Sequence, residues 1–167
     1  YQNMPVHEVP LRHTKNGKLY VPSTQPLPIC VSASHSNEIL LIVLSRHNVG
    51  IDVEQKRRAE DYPRVARRFC PLEEVSAIKH VKDNPEETAL LFTRYWTCRE
   101  SLCKLTGHGV LHNAPADRST ATKRYWGRYF SVGESATAAL CASSACNLVL
   151  YAGQAFMRLS TTSTNDE

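Results

Sequence analysis

The chain has 167 residues, of which 42% are hydrophobic and 22% are charged, so we expect one folded domain and little disorder. The formal net charge of +4 favours an acidic or phosphorylated partner, and the absence of basic runs interleaved with aromatic residues argues against a nucleic-acid platform. The longest apolar run, Ile39–Leu44, is too short to span a membrane, and no signal-peptide pattern opens the chain.

The first third of the chain predicts a loop followed by short strands. Residues 1–28 contain five of the nine prolines and predict a loop with one short strand near Leu19–Val21. Three short apolar runs with polar connections then favour antiparallel strands. These runs are Ile29–Ala33, Ile39–Leu44 and Val49–Val53.

Helices are predicted in the middle of the chain, at Tyr62–Phe69, at Leu72–His80 and from Asn84 to Gly107. Pro71 ends the first of them. Asn84 is a good N-cap, Glu87 lies three residues after it, and Gly107 supplies the stop.

Strands return after a polar loop at residues 112–123. They are predicted at Tyr125–Val132, Thr137–Ala142 and Leu148–Tyr151, and residues 160–167 form a polar tail. Strands, then helices, then strands is the order of an α+β fold, so we expect antiparallel sheets packed with helices. The six cysteines form no C-x-x-C pair and predict reduced core residues of a cytoplasmic protein, with a disulfide scaffold as the alternative.

Three segments carry candidate chemistry. Asp52 and Glu54 are predicted to share one strand face, where two carboxylates suit a magnesium ion, although a solvated polar edge is the common alternative. Glu100 and Lys104 share a helix face with Trp96, which favours a metal or phosphate partner over an exposed ion pair. The segment 32–36 (Ser-Ala-Ser-His-Ser) predicts a turn that binds phosphate, or an ordinary serine-rich turn.

In this order, the segments resemble the motifs of the surfactin-type 4′-phosphopantetheinyl transferases. The matching segments are Gly17-Lys18, Ser34-His35-Ser36, Gly50–Glu54, Phe69 to Glu74 and Trp96–Gly109. The last is the most specific, with the pattern W-x-x-[KR]-E-x-x-x-K-x-x-G-x-G, and the resemblance covers about residues 12–151. It implies a pseudo-dimer of two similar α+β halves with a truncated first half. The expected domains are a first-half remnant at 1–47, with the phosphate-binding segment, a transferase core at 48–159 and a tail at 160–167.

The resemblance implies a holo-[acyl-carrier-protein] synthase. Such an enzyme transfers the 4′-phosphopantetheine group of coenzyme A to a serine of an acyl or peptidyl carrier protein, with Mg²⁺, and releases 3′,5′-ADP. The implied magnesium ligands are Asp52, Glu54 and Glu100. Glu100 also matches the general base, and Lys104 matches the residue that meets the leaving phosphate.

Further roles are implied by the same match. Glu74 corresponds to an acidic catalytic residue near the metal, with Glu73 as an alternative register. Coenzyme A contacts are implied for Lys18, Ser34, His35 and Lys104, with His35 at the 3′-phosphate.

Two positions depart from the family pattern, because Ser32 replaces an asparagine and Arg99 replaces a lysine. The basic residues that bind coenzyme A farther upstream in the family have no counterpart in this chain. With a truncated first half, we expect the apolar surface near Ile29–Leu44 to be uncovered, which would allow self-association. The alternative functions are a non-catalytic module that binds coenzyme A or a nucleotide, and a module that only docks carrier proteins. Neither nucleic acid nor a membrane is expected as a partner.

Overall fold

The computed structural model of the chain describes residues 8–22, 29–56, 62–107 and 125–145. Its strands are β1 Arg12–His13, β2 Leu19–Val21, β3 Ile29–Ser36, β4 Ile39–Ser45, β5 Val49–Gln55, β6 Trp126–Val132 and β7 Ala136–Ala142. Its helices are α1 Tyr62–Phe69, α2 Leu72–His80 and α3 Pro85–Thr106. The predicted strand Leu148–Tyr151, the polar loop 112–123 and the tail 160–167 lie outside the described residues.

The three predicted helices are confirmed, and so is the α+β class with antiparallel sheets. The Glu87 N–H donates to Asn84 Oδ1 at 3.2 Å, which caps the start of α3. Gly107 ends α3 at a φ of +76°, a left-handed conformation that glycine adopts without steric cost. Within the described ranges, none of these helices has the length and apolar character to cross a membrane.

The strands form two antiparallel sheets, one ordered β1-β2-β3-β4 and the other β5-β7-β6. The three early runs are antiparallel strands, as predicted, and β5 pairs with β7 in a register that sets Asp52 opposite Ala139. Residues 49–53 of β5 are all buried although β5 lies at the edge of its sheet, because α3 and β3 also pack against it.

β3 and β5 lie in different sheets and do not pair through their backbones. Serine side chains of β3 join the two sheets instead. Three N–H groups of β5 donate to three hydroxyls of β3: Ile51 N to Ser32 Oγ (3.1 Å), Val53 N to Ser34 Oγ (3.3 Å) and Gln55 N to Ser36 Oγ (3.1 Å). We call this set the serine ladder. Each bond satisfies a main-chain donor that would otherwise be costly to bury.

Helix α3 packs directly against β5 because Gly50 has no side chain. A Cβ at Gly50 would lie 2.0 Å from Ser101 O and 2.4 Å from Leu105 N, both in the backbone of α3. Thr97 and Ser101, which face the sheets, are completely buried and small. This close approach brings the second half of α3 beside the middle of β5.

Aromatic residues anchor α1 on α3. The rings of Tyr62 and Phe92 stack with centroids 4.4 Å apart, and those of Phe92 and Trp96 stack at 6.0 Å. Phe69 meets Trp96 edge-on at 5.8 Å. Such pairs stabilise a core by about 0.5–1.5 kcal/mol beyond the area that they bury.

Candidate functional site

The centre of the site is Asp52, which is 2% exposed in the middle of β5. Its Oδ1 accepts hydrogen bonds from Ser34 Oγ and from Lys104 Nζ, each at 2.8 Å. Lys104 Nζ also lies 2.8 Å from Ser34 Oγ, so the three side chains form one closed group. The structure thus brings together residues from three separate sequence segments, carried by β3, β5 and α3.

Glu100 lies one helical turn before Lys104, at the edge of the same group. Burial raises the pKa of the Glu100 carboxyl to about 7, and the neighbouring carboxylates of Asp52 and Glu54 raise this pKa further while Lys104 lowers it. The three predicted metal ligands are therefore close enough to act on one another electrostatically. Negative charge accumulates here, which is the condition that attracts a cation.

The donor chemistry of this group suits a hard cation such as Mg²⁺. Asp52 Oδ2 is buried and, among the residues that the structure describes, accepts no hydrogen bond from an amine, amide or hydroxyl group, and a hydrogen bond between the carboxyls of Asp52 and Glu100 also raises the pKa of Glu100. Carboxylate oxygens in such a group are ligands that Mg²⁺ prefers. In the described ranges, however, no group of three or more His, Cys, Asp or Glu side chains stands ready to enclose a metal ion. The positive charge that faces Asp52 in this structure is the Lys104 ammonium group.

A polar cleft of about 290 Å³ opens on one side of Glu100. Lys18, Ser32 and Lys104 line it, together with the end of α3 at Gly107. Lys18 Nζ donates to Leu105 O at 2.7 Å, and burial lowers the pKa of Lys18 below its usual range. Two amine side chains in one cleft favour an anionic ligand.

A second cleft of about 290 Å³, which is aromatic, also borders Glu100. Tyr62, Phe92 and Trp96 line it, and Glu54 and Glu100 lie at its acidic end. Glu100 thus borders both clefts, one suited to charged groups and the other to apolar groups. A molecule with a charged half and a less polar half fits this arrangement, with its centre at Glu100.

His35 does not join the group around Asp52. The segment predicted as a turn is the end of β3, so neighbouring side chains point to opposite faces of the sheet. Ser34 is buried, whereas His35 is exposed opposite Leu40 of β4 and is not among the residues that line the two clefts. The phosphate contact expected of His35 stays a prediction.

Glu74 is placed in a buried ion pair. Arg99 Nη2 donates to Glu74 Oε2 at 3.2 Å, and both side chains are more than nine-tenths buried. Burial, together with the smaller effect of the Glu74 carboxylate, raises the pKa of the adjacent Cys70 thiol to about 11. The pair links α2 to α3 next to Glu100, while Glu73, the alternative register, is exposed. The catalytic role expected of Glu74 stays a prediction.

Two contributors to the site were not predicted from the sequence. Ser36 Oγ donates to Glu54 Oε2 at 3.2 Å, and Gly50 permits the approach of α3. The signal for Ser36 was present in the alternation of Ser32, Ser34 and Ser36, because residues two apart share one face of a strand.

Comparison with known proteins identifies relatives of one kind. A family model described as the 4′-phosphopantetheinyl transferase superfamily matches residues 48–148. The chain is 35% identical over 78 residues to 4′-phosphopantetheinyl transferase HetI of Nostoc sp., covering 46% of this chain and 32% of that protein. It is 30% identical over 108 residues to 4′-phosphopantetheinyl transferase gsp of Aneurinibacillus migulanus, covering 65% of this chain and 42% of that protein. The matched part therefore spans less than half the length of either relative.

Proposed function

Because the chain belongs to the 4′-phosphopantetheinyl transferase superfamily, we propose that it transfers the 4′-phosphopantetheine group of coenzyme A to a serine of an acyl or peptidyl carrier protein. The supporting observation is that Lys104 bonds to Asp52 and lines the polar cleft, while Glu100, one helical turn away, lines both the polar and the aromatic cleft. Coenzyme A has a charged nucleotide half and a less polar pantetheine half, joined by a pyrophosphate. We place the pyrophosphate beside Glu100 and Lys104.

The reaction exchanges a phosphoanhydride bond of the pyrophosphate for a phosphoester bond to the serine. The carrier serine oxygen forms a bond to the β-phosphorus of coenzyme A, and the bond from that phosphorus to the oxygen of 3′,5′-ADP breaks. The serine proton passes to Glu100, and Lys104 faces the negative charge that develops on the departing ADP. Catalysis of this kind depends on positioning the reactants and on stabilising charge.

The environment of Glu100 suits a general base. In the metal-free chain, burial and the neighbouring carboxylates raise the pKa of Glu100 to about 7, so this carboxyl binds a proton more readily than an ordinary glutamate. Asp52, Glu54 and Glu100 are the residues that would hold Mg²⁺, and the ion when bound supplies neutralisation of the pyrophosphate charge. The side chain of Lys104 is partly exposed, so its ammonium group would be able to reach a phosphate from its position beside Asp52.

The remaining contacts follow the two clefts. Lys18 binds the nucleotide phosphates in the polar cleft, and His35 approaches the 3′-phosphate from the outer face of β3. The carrier protein docks near the exposed basic end of α1, at Arg67 and Arg68. We place the protein in the cytoplasm, where the free thiols of the described cysteines stay reduced.

Self-association is part of the proposal. Leu40, Ile42 and Leu44 of β4 are 60–65% exposed and lie on one face of the strand. An uncovered apolar face of this kind favours association with another surface.

The test is mass spectrometry of an apo carrier protein incubated with this chain, coenzyme A and Mg²⁺. We expect the carrier to gain one phosphopantetheine group with the parent chain and not with Asp52→Ala. Asp83→Ala, which removes an exposed carboxylate, is the matched control and should transfer normally. Binding of coenzyme A without any Mg²⁺-dependent transfer would instead support the non-catalytic alternative.

A further inference from the structure

The serine ladder does more than join two strands. Ser34 and Ser36 each accept an N–H from β5 and each donate their hydroxyl hydrogen to a carboxylate of that same strand. Ser34 donates to Asp52 Oδ1 at 2.8 Å, and Ser36 donates to Glu54 Oε2 at 3.2 Å. Two successive members of the ladder thus hold the two carboxylates that are proposed as metal ligands.

Ser32 has only the first of these two functions. It accepts the Ile51 N–H at 3.1 Å, and within the described ranges its hydroxyl makes no bond to a carboxylate. Ser32 and Ser34 are equally buried, at 7% and 8% exposure. The ladder therefore contains an internal control for the contact to a carboxylate, because Ser32 occupies the same structural position and lacks that contact.

Ser34 has no hydrogen left for a phosphate. A serine hydroxyl has one donor hydrogen and two acceptor lone pairs. Asp52 accepts the hydrogen, while Val53 N (3.3 Å) and Lys104 Nζ (2.8 Å) donate to the oxygen. An anionic phosphate requires a donor, and this side chain would have to release Asp52 to supply one.

We propose that Ser34 and Ser36 are positioning residues, which orient Asp52 and Glu54 towards a common cation instead of contacting coenzyme A. The proposal rests on the proposed function for the reaction and for the assignment of Asp52 and Glu54 as metal ligands. Hydrogen bonds from neighbouring residues fix the rotamers of ligating carboxylates, and their removal lowers metal affinity or activity by roughly 10- to 100-fold. Ser34 also fixes the Lys104 ammonium group, so its removal disturbs both charges at once.

The experiment compares the full chain with Ser34→Ala, Ser36→Ala and Ser32→Ala. Mn²⁺ affinity is measured by electron paramagnetic resonance, coenzyme A affinity without metal by calorimetry, and transfer as separate kcat and KM values. We expect about tenfold weaker Mn²⁺ binding and a lower kcat for Ser34→Ala and Ser36→Ala, with coenzyme A affinity within about twofold of the parent. Ser32→Ala should match the parent in Mn²⁺ affinity, because the Ser32 hydroxyl accepts the Ile51 N–H and does not bond to a carboxylate in the described part of the chain. Metal affinity is the quantity that this variant controls, since Ser32 also lines the polar cleft.

A second readout requires neither metal nor turnover. Acylation of Lys104 by an amine-reactive reagent, followed by mass spectrometry, should be several-fold faster in Ser34→Ala and unchanged in Ser32→Ala. If Ser34→Ala does not fold, Ser36→Ala decides by its Mn²⁺ affinity, because Ser36 is only half-buried.

The outcomes separate this proposal from the proposed function. Weaker coenzyme A binding by Ser34→Ala, with Mn²⁺ affinity and Lys104 acylation unchanged, would overturn the positioning role in favour of a direct contact. A loss of Mn²⁺ affinity in Ser32→Ala as large as that in Ser34→Ala would overturn the positioning role in favour of a purely structural ladder. A parent chain that transfers nothing refutes the proposed function, while the Lys104 acylation rates still decide the role of Ser34.

Discussion

Replacement of Gly50 by alanine should damage the protein more than the addition of one methyl group suggests. The new Cβ would lie 2.0 Å from Ser101 O, 2.4 Å from Leu105 N and 3.0 Å from the carbonyl carbon of Lys104. All three atoms belong to the α3 backbone, so no side-chain rotation relieves the clash. Helix and strand must separate by about 1.4 Å before the nearest contact becomes an ordinary one.

The expected cost follows from this displacement. Overpacking of a core typically costs about 1–3 kcal/mol, and a clash with main-chain atoms belongs at the upper end. We therefore expect Gly50→Ala to lower the free energy of unfolding by about 3 kcal/mol or more. Where the protein still folds, α3 carries Glu100 and Lys104 away from Asp52, and a displacement of about 1 Å in an active site can reduce the rate by about 100-fold.

Urea unfolding followed by tryptophan fluorescence measures the first effect, and carrier loading measures the second. Gly127→Ala is the matched control, because Gly127 lies in β6 of the same sheet and its added Cβ would be no closer than 3.5 Å to Cys141 Sγ. That control should unfold within about 1 kcal/mol of the parent. A Gly50→Ala protein as stable and as active as Gly127→Ala would refute the close approach of α3 to β5.

Two further substitutions test the charges around the site. Lys104→Met removes the ammonium group from Asp52, so Mn²⁺ affinity measured without coenzyme A should rise while carrier loading falls. The control Lys79→Met lies at an exposed position and should change neither quantity. Unchanged Mn²⁺ affinity in Lys104→Met would contradict a competition between Lys104 and the cation for Asp52. Arg99→Leu removes the guanidinium that faces buried Glu74 and should lower the free energy of unfolding by about 3–5 kcal/mol, measured by urea unfolding. The double variant Glu74→Leu/Arg99→Leu should lose less of the free energy of unfolding than Arg99→Leu alone. A larger loss of stability in the double variant would count against a buried ion pair.

The helices could be predicted from the sequence because their ends are set by local chemistry. Asn84 and Gly107 determine where α3 begins and ends, through a side-chain cap and a left-handed residue that need no distant partner. The pairing of β5 could not be predicted in the same way, since its partner β7 begins only at Ala136. Sequence proximity favours a hairpin between β4 and β5, whereas in the structure β5 and β7 pair and pack together against α3.

The serine segment shows why residue type alone can mislead about the face on which a group lies. Serines at close spacing favour a turn, because their hydroxyls commonly bond to the nearby backbone. Here the same property is used across strands, so that Ser34 replaces a backbone carbonyl as the acceptor for the Val53 N–H. Burial of a polar side chain is then favourable, since it satisfies a main-chain donor and a carboxylate together. Strand geometry consequently sends His35 to the outer face, and two adjacent motif residues must act on opposite sides of one sheet.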